Sequence, residues 1–183
     1  MKFEESEIKG VYFIEPAIHR DSRGMFFRTY CEQEFSAAGF KEKWVQGNYS
    51  ITEKKGTVRG LHYQLPPHSE TKLVSCTRGK IVDVIVDLRE NSPTFKKHVT
   101  VELSEENKLS VLIPRGCAHG FQTLADNCHL SYFHSAFYAQ EYEAGIRYND
   151  PLLGIIWPLP VTEISERDNT FPLLTKQFKG ISI

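Results

Sequence analysis

The chain has 183 residues, of which 40% are hydrophobic and 25% are charged, and its net charge is −1. The length suits one domain over residues 1–183, and the composition is ordinary for a globular protein. There is no overall basic field of the kind that nucleic-acid-binding proteins carry. No apolar run approaches the roughly 20 residues that a membrane helix needs, and the acidic start of the chain lacks the apolar core of a signal peptide.

The four cysteines, Cys31, Cys76, Cys117 and Cys128, form no CxxC pair. A chain of this size does not need disulfides for stability. We therefore expect a cytoplasmic protein with reduced thiols that pack as small apolar side chains. Cys117 lies inside a candidate site motif, but no partner base is evident that would make it a nucleophile.

Short segments of alternating hydrophobicity, separated by turn residues, recur through the middle of the chain. Residues 32–38 followed by Gly39 predict a short helix with a glycine cap. Strands are predicted at 45–51, 60–64, 72–74, 80–88, 98–103, 109–113 and 130–134. After Tyr148 the proline-rich sequence favours loops and one short helix, with Ser165 placed to cap it. Evenly spaced strands with few helices indicate an all-β sandwich or barrel with short peripheral helices.

Two histidines are candidates for chemistry. His62 and Gln64 share one face of the strand at 60–64, and a histidine facing a barrel interior can act as a general base near neutral pH. His119 precedes Gly120 and follows Gly116 by three residues, and these glycines let backbones approach closely. The alternative for each histidine is a core side chain satisfied by hydrogen bonds. A catalytic metal is a further alternative, but the chain has no His-x-His pair, and Gln64 stands where a metal-binding barrel would place a second histidine.

Charged residues accompany the histidines. Arg23, in a turn before Gly24, could hold a phosphate or be a plain surface charge. Lys72 could be a solvated strand end or could stabilise an oxyanion in a pocket. Asp168 could belong to the capping sequence of a helix, or it could orient His62 as carboxylates do for other histidine bases. Tyr132 is a candidate acid. A base, an acid and a set of cationic side chains that holds an anion are what proton transfer beside a carbonyl requires, so an enzyme is the leading hypothesis.

Taken together and in order, these segments resemble the dTDP-4-dehydrorhamnose 3,5-epimerase family of cupin-fold sugar epimerases. The resemblance runs from about Gly10 to Leu174, and its main motifs are Asp21-Ser22-Arg23-Gly24, Gln46-Gly47-Asn48, Arg59-Gly60-Leu61-His62-Tyr63-Gln64, Lys72-Leu73-Val74, Pro114-Arg115-Gly116-Cys117-Ala118-His119-Gly120-Phe121 and Ser165-Glu166-Arg167-Asp168. It implies a cupin-type jelly-roll barrel that forms a homodimer and uses neither metal nor cofactor. It also implies a nucleoside-diphosphate 4-keto-6-deoxy sugar as substrate, in deoxysugar synthesis for a surface polysaccharide.

The resemblance also implies roles for individual residues. His62 would be the base, with Asp168 as its partner, and Tyr132 would be the acid on the opposite face of the sugar. Lys72 would stabilise the enolate oxygen. The residues implied to contact or adjoin the nucleotide sugar are Arg23, Gln46, Asn48, Arg59, His119, Tyr138, Glu143 and Arg167.

Four positions depart from the family pattern. Arg28 stands where glutamate is usual, Gly47 where aspartate is usual, Phe133 where lysine is common, and Ser75 where arginine is common. We expect these positions to lie close to the pocket. Arg28 would then weaken thymidine as the nucleoside and admit another base such as cytidine. The alternative is neutral drift that is compensated elsewhere.

The sequence leaves several functions open. Residue identity does not decide whether C3, C5 or both carbons are inverted, because single-centre epimerases share the same residues. The alternatives are a single-centre epimerase acting on another nucleotide sugar, for example a CDP-linked one, a 3,4-ketoisomerase built on a similar barrel, and a non-catalytic sugar-binding cupin. The presence of both His62 and Tyr132 favours the epimerase.

Overall fold

The computed structural model describes all 183 residues, and most of the regular structure is strand. The strands are β1 (Lys2–Glu5), β2 (Tyr12–Glu15), β3 (Ile18–Asp21), β4 (Gly24–Phe27), β5 (Gln46–Thr52), β6 (Val58–Gln64), β7 (Lys72–Arg78), β8 (Lys80–Asp87), β9 (His98–Ser104), β10 (Ser110–Ile113), β11 (Cys117–Thr123), β12 (Cys128–His134) and β13 (Glu143–Gly145). The helices are α1 (Glu32–Ala37) and α2 (Glu166–Thr170), and a 3₁₀ turn covers Gln140–Tyr142. Neither helix has the length and apolar character that crossing a bilayer would demand.

The strands form two main antiparallel sheets. One sheet has the order β1-β2-β10-β7-β12-β5, the other has the order β13-β6-β11-β8-β9, and β3 pairs with β4 as a separate hairpin. Side chains from both sheets, among them Val74, Ile85, Phe121 and Leu130, share one buried core. The prediction of an all-β fold with short peripheral helices is confirmed.

The five-stranded sheet is covered on both faces. Along β8, Ile81 and Ile85 point into the core between the sheets, whereas Val84 and Val86 pack on the opposite face. There they meet the C-terminal segment, whose packing residues include Ile155, Trp157, Leu174 and Phe178. The predicted irregular C-terminal segment therefore closes one side of the molecule, and it brings α2 against β6.

The outer face of the six-stranded sheet is covered only in part. Leu73, Leu112 and Ile14 pack there against Phe35 of α1, which ends at Ala37, two residues before the predicted Gly39 with its φ of +98°. Farther along the same face, at β5 and β12, three side chains are left partly in solvent: Tyr49 is 58% exposed, Ile51 51% and Phe133 37%. This uncovered region is named the β5–β12 outer face below.

Candidate active site

A polar cavity of about 190 Å³ opens between the two sheets. Its lining residues are Asn48, Ser50, Arg59, His62, Lys72, His119, Phe121, Tyr132 and His134. Strand register explains the convergence, because His119 lies opposite His62 in one sheet and Tyr132 lies opposite Asn48 in the other. The structure thus brings together both predicted histidines, the tyrosine and the lysine.

His62 is held by a buried carboxylate. Its Nε2 lies 2.8 Å from Asp168 Oδ1, and Asp168 Oδ2 accepts the Gly60 backbone N–H at 3.0 Å. An ionised carboxylate only accepts hydrogen bonds, so Nε2 carries the proton and Nδ1 keeps the lone pair that a base needs. Arg167 Nη2, 3.3 Å from the same Nε2, therefore acts as a neighbouring charge and not as a hydrogen-bond donor to it.

Asp168 stays ionised despite its burial. Desolvation alone would raise its pKa, but the hydrogen bond and charge of His62, the Gly60 amide and the Arg167 guanidinium outweigh burial and lower the pKa below its usual value. Its place is fixed locally, because Ser165 caps α2 by accepting the Asp168 backbone N–H at 3.1 Å. Both sequence interpretations of Asp168 hold at once, since it lies in the capping turn and pairs with His62.

Tyr132 reaches the cavity from the facing sheet. Its hydroxyl lies 2.8 Å from Ser50 Oγ. Burial, with a smaller effect from the charge of Asp83, raises the pKa of Tyr132 to about 12. The phenol is therefore protonated at neutral pH and can donate a proton.

His119 belongs to a second histidine–aspartate pair, which the sequence did not reveal. Its Nε2 lies 2.7 Å from Asp83 Oδ1, an ion-pair distance, although the two atoms do not have the geometry of a hydrogen bond. Both side chains are buried. Asp83 meets His119 because the alternation in β8 turns it toward the core between the sheets, and its place among apolar residues is the available sequence signal.

Two residues that the sequence did not single out belong to this region: His134 lines the cavity, and Glu70 pairs with Lys72 beside it. Lys72 Nζ lies 3.0 Å from Glu70 Oε1 and 3.5 Å from the His62 carbonyl oxygen. Asn48 Nδ2 lies 3.2 Å from His134 Nε2. Burial, followed by the charges of Lys72 and His119, lowers the pKa of His134 to about 4, so this imidazole is neutral.

A larger cavity of about 560 Å³ adjoins the first one, and both are lined by Arg59 and His62. Arg167 and Asp168 line its other wall. Beside it, Glu143 Oε2 accepts hydrogen bonds from Arg167 Nη1 and from the Tyr138 hydroxyl, each at 2.9 Å.

Gln46 connects this region to the polar cavity. Its side chain donates to Asn48 Oδ1 at 3.2 Å and accepts the Tyr138 backbone N–H at 2.9 Å. One exposed hydrogen-bonded group therefore lies beside the larger cavity, and it consists of Tyr138, Glu143 and Arg167. Gln46 connects this group to Asn48, which lines the polar cavity.

Arg23 is not brought into this site. It lies at the tip of the β3–β4 hairpin, its side chain is 88% exposed, and its ion-pair partner is Asp21 at 2.6 Å. Neither of the two cavities is lined by it.

The expectation that the four departures from the family pattern lie close to the pocket fails within one chain, because none of them lines either cavity. Gly47 and Phe133 face each other outside the six-stranded sheet, because β5 and β12 turn Asn48 and Tyr132 inward and their neighbours outward. Ser75 bonds to Ser110 and, with Arg28, lines a separate outer cavity. Arg28 pairs with Glu34 at 2.6 Å within its own chain.

The four cysteines are free thiols, and Cys76, Cys117 and Cys128 are buried in the core. Burial raises the pKa of the Cys117 thiol to about 12, which makes it a poor nucleophile at neutral pH. No group of three or more His, Cys, Asp or Glu side chains is arranged to hold a metal ion.

The all-β fold, with a histidine–aspartate pair and a tyrosine at one cavity between its sheets, is that of a cupin-type isomerase. The family model for dTDP-4-dehydrorhamnose 3,5-epimerase matches residues 5–176, and the chain belongs to this family.

Individual relatives agree with this assignment. A dTDP-4-dehydrorhamnose 3,5-epimerase from Sinorhizobium fredii is 42% identical, with 95% of this chain and 90% of the relative covered. The crystal structure of one from Elizabethkingia anophelis superposes with a TM-score of 0.92 and 41% identity, over 97% of this chain and 98% of that one. A 3'-monoepimerase from Streptomyces bikiniensis in complex with dTDP-quinovose matches with a TM-score of 0.85 and 34% identity, over 92% and 85% of the two chains.

Proposed function

We propose that this protein epimerises a nucleoside-diphosphate 4-keto-6-deoxyhexose, with His62 as base and Tyr132 as acid. The observation that carries the assignment is that these two side chains line one small cavity from facing sheets. A sugar ring between them would present opposite faces to a base and to an acid, as inversion of a carbon centre requires.

The chemistry follows from the charges around the cavity. A ketone at C4 acidifies the protons on C3 and C5. His62 Nδ1 removes one of them, and the charge that develops on the imidazole is stabilised by Asp168, 2.8 Å from Nε2. The enolate oxygen is stabilised by the Lys72 ammonium. Tyr132 then returns a proton to the carbon from the other face.

The larger adjoining cavity suits the nucleoside diphosphate. Arg59 and Arg167 present two guanidinium groups there, and guanidinium is well matched to phosphate oxygens. The two cavities, of about 190 and 560 Å³, together fall within the roughly 300–1,000 Å³ of ligand pockets. Asn48, Gln46, His119, Tyr138 and Glu143 complete the proposed substrate contacts. Arg28 pairs with Glu34 and so gives no reason to exclude thymidine.

The proposed homodimer would use the β5–β12 outer face and the β3–β4 hairpin. That face exposes Tyr49, Ile51 and Phe133, and the hairpin exposes Phe26. Contiguous exposed apolar side chains of this kind mark interaction surfaces. A hairpin extended onto a second copy would carry Arg23 to the partner's site, which explains why Arg23 contacts nothing in its own cavity. Ile51→Asp is expected to yield monomers in light scattering, and an unchanged mass would reject this interface.

We place the reaction in the cytoplasm, in deoxysugar synthesis for a surface polysaccharide. The free thiols and the nucleotide-activated substrate support the compartment. The family resemblance supports the pathway.

Substitution of the two proton-transfer residues tests their roles. Purified His62→Asn and Tyr132→Phe are compared with the wild-type protein on dTDP-4-keto-6-deoxyglucose in D2O, and proton NMR follows the C3 and C5 signals. We expect His62→Asn to stop deuterium entry altogether. Tyr132→Phe should allow deuterium entry while blocking inversion, because only the second protonation is lost. A folded variant with wild-type turnover would disprove the corresponding role.

A single-centre epimerase is the second candidate, and the match to the 3'-monoepimerase favours it. Deuterium at only one of the two carbons would select it.

A further inference from the structure

Glu70 has no role in the proposed function, although it is a buried carboxylate next to the site. It lies between β6 and β7, and its side chain is only 7% exposed. Three groups surround it: Lys72 Nζ at 3.0 Å from Oε1, Gln64 Nε2 bonded to Oε2, and His134 Nδ1 at 3.9 Å from Oε1. A buried carboxylate is costly unless it is paired and hydrogen-bonded. Here Lys72 supplies the paired charge and Gln64 supplies the hydrogen bond.

We infer that Glu70 is a positioning residue that holds the Lys72 ammonium charged and aimed at the substrate oxygen. The Lys72 side chain is 9% exposed, and Glu70 is its single carboxylate partner within ion-pair distance. The inference rests on the proposed function, since it concerns the group that stabilises the enolate.

The other titratable groups that line the cavity with Lys72 do not supply the missing negative charge. They are Arg59 and His62 on β6, His119 on β11, and Tyr132 and His134 on β12. Cys117 also faces Lys72 from β11. Each of these is cationic or neutral at neutral pH, and the nearby carboxylates Asp83 and Asp168 are engaged by His119 and His62.

The geometry leaves Lys72 with a donor to spare. An ammonium has three N–H donors. Glu70 takes one at 3.0 Å, and the His62 carbonyl oxygen is near a second at 3.5 Å. The third is free for an oxygen in the cavity. Glu70 thereby fixes the direction of the charge as well as its presence.

Gln64 extends this arrangement to the mouth of the site. Its Nε2 donates to Glu70 and to the His68 carbonyl oxygen at 2.9 Å, and its Oε1 accepts the Ala139 N–H at 2.7 Å. Because Glu70 accepts only, it orients the amide so that Oε1 meets Ala139. The backbone at His68 and at Ala139, next to Tyr138, is therefore tied to the same carboxylate.

Glu70→Gln tests the inference, because it keeps the size of the side chain and removes its charge. A buried ammonium without its counter-charge loses its proton more readily. We expect kcat to fall at high pH by about 100-fold, the usual effect of losing one oxyanion donor. The alkaline limb of the kcat profile should move to lower pH, with KM nearly unchanged. Glu42→Gln is the matched control, since Glu42 bonds Thr71 and Arg115 and lines neither of the two site cavities. An alkaline limb that stays in place in Glu70→Gln would overturn the inference.

Two further variants keep the test decisive. Glu70→Asp retains the charge and should retain the position of the alkaline limb with a lower kcat, and it replaces Glu70→Gln if that variant does not fold. In a Lys72→Met background, Glu70→Gln should cause no further loss, whereas additive losses would show that Glu70 acts independently of the lysine. An inactive wild-type protein would disprove the proposed function instead, and an active wild type with an unaffected Glu70→Gln would disprove only this inference.

Discussion

Replacing Asp168 by asparagine tests the His62–Asp168 pair most sharply. The substitution keeps the shape of the side chain and removes its charge. Asp168 accepts from Gly60 N at 3.0 Å and from His62 Nε2 at 2.8 Å. In the variant the Gly60 N–H needs the amide oxygen, so the amide NH2 faces His62 Nε2. Nε2 must then be unprotonated, and the proton moves to Nδ1, where the lone pair of the base was.

The expected loss has a lower and an upper bound. Hydrogen bonds to charged groups contribute about 1.5–3 kcal/mol, and at about 1.4 kcal/mol per tenfold change the lost charge alone lowers kcat up to about 100-fold. A wrong histidine tautomer in a comparable triad lowers kcat by about 10⁴. We therefore expect a loss of about 10 to 10⁴ in kcat, measured by NMR of sugar turnover.

Asp150→Asn is the control for this substitution. Asp150 is also buried and accepts two backbone N–H groups, from Leu152 and Leu174, but it touches no site residue. It should lose stability and keep its kcat. A folded Asp168→Asn variant with more than about one-tenth of wild-type kcat would refute the tautomer argument.

Other predictions follow from single contacts. Burial would raise the pKa of Asp87, but hydrogen bonds from Arg89, Ser92 and Thr94 lower it to about 2. Ionised Asp87 therefore stabilises the fold above the unfolded pKa of about 3.9, and the effect disappears as pH falls toward 2. Asp87→Asn should cost about 2–3 kcal/mol in urea unfolding at pH 7, with no such difference near pH 2. A Cβ at Gly145 would collide with the Phe171 ring, and that ring packs on His62 at 5.7 Å between ring centroids. Gly145→Ala should therefore lower kcat strongly in the turnover assay and lower the melting temperature only slightly. Cys117→Ala should have the kcat of the wild-type protein, because burial makes the thiol unreactive. Loss of turnover in this variant would contradict that conclusion.

Period-two alternation predicted most of the fold correctly. The strand at 80–88 shows why, since Ile81, Asp83 and Ile85 on one face and Val82, Val84 and Val86 on the other appear in the structure as β8 with those faces. The first four strands were missed, because they are four residues each and are interrupted by Gly10, Pro16 and Gly24. Strand β11 shows no alternation that predicts it, because Gly120 breaks its apolar pattern.

The sequence predicted the site residues that lie in recognisable motifs or that the family resemblance implies, namely His62, Lys72, Tyr132 and Asp168. Long-range partners could not be predicted, since Asp83 meets His119 only through the pairing of β8 with β11. The same limit explains the error about Phe133 and Gly47. Sequence proximity to Tyr132 and Asn48 suggested the cavity, but adjacent residues in a strand point to opposite faces.

The most direct test is proton NMR of the wild-type protein in D2O with dTDP-4-keto-6-deoxyglucose, and then with the CDP-linked sugar. We expect deuterium to enter at C3 and C5 of the dTDP sugar with inversion, since both proton-transfer groups line one cavity. No exchange at either carbon of either sugar would contradict the assignment of His62 and Tyr132 as an epimerising pair.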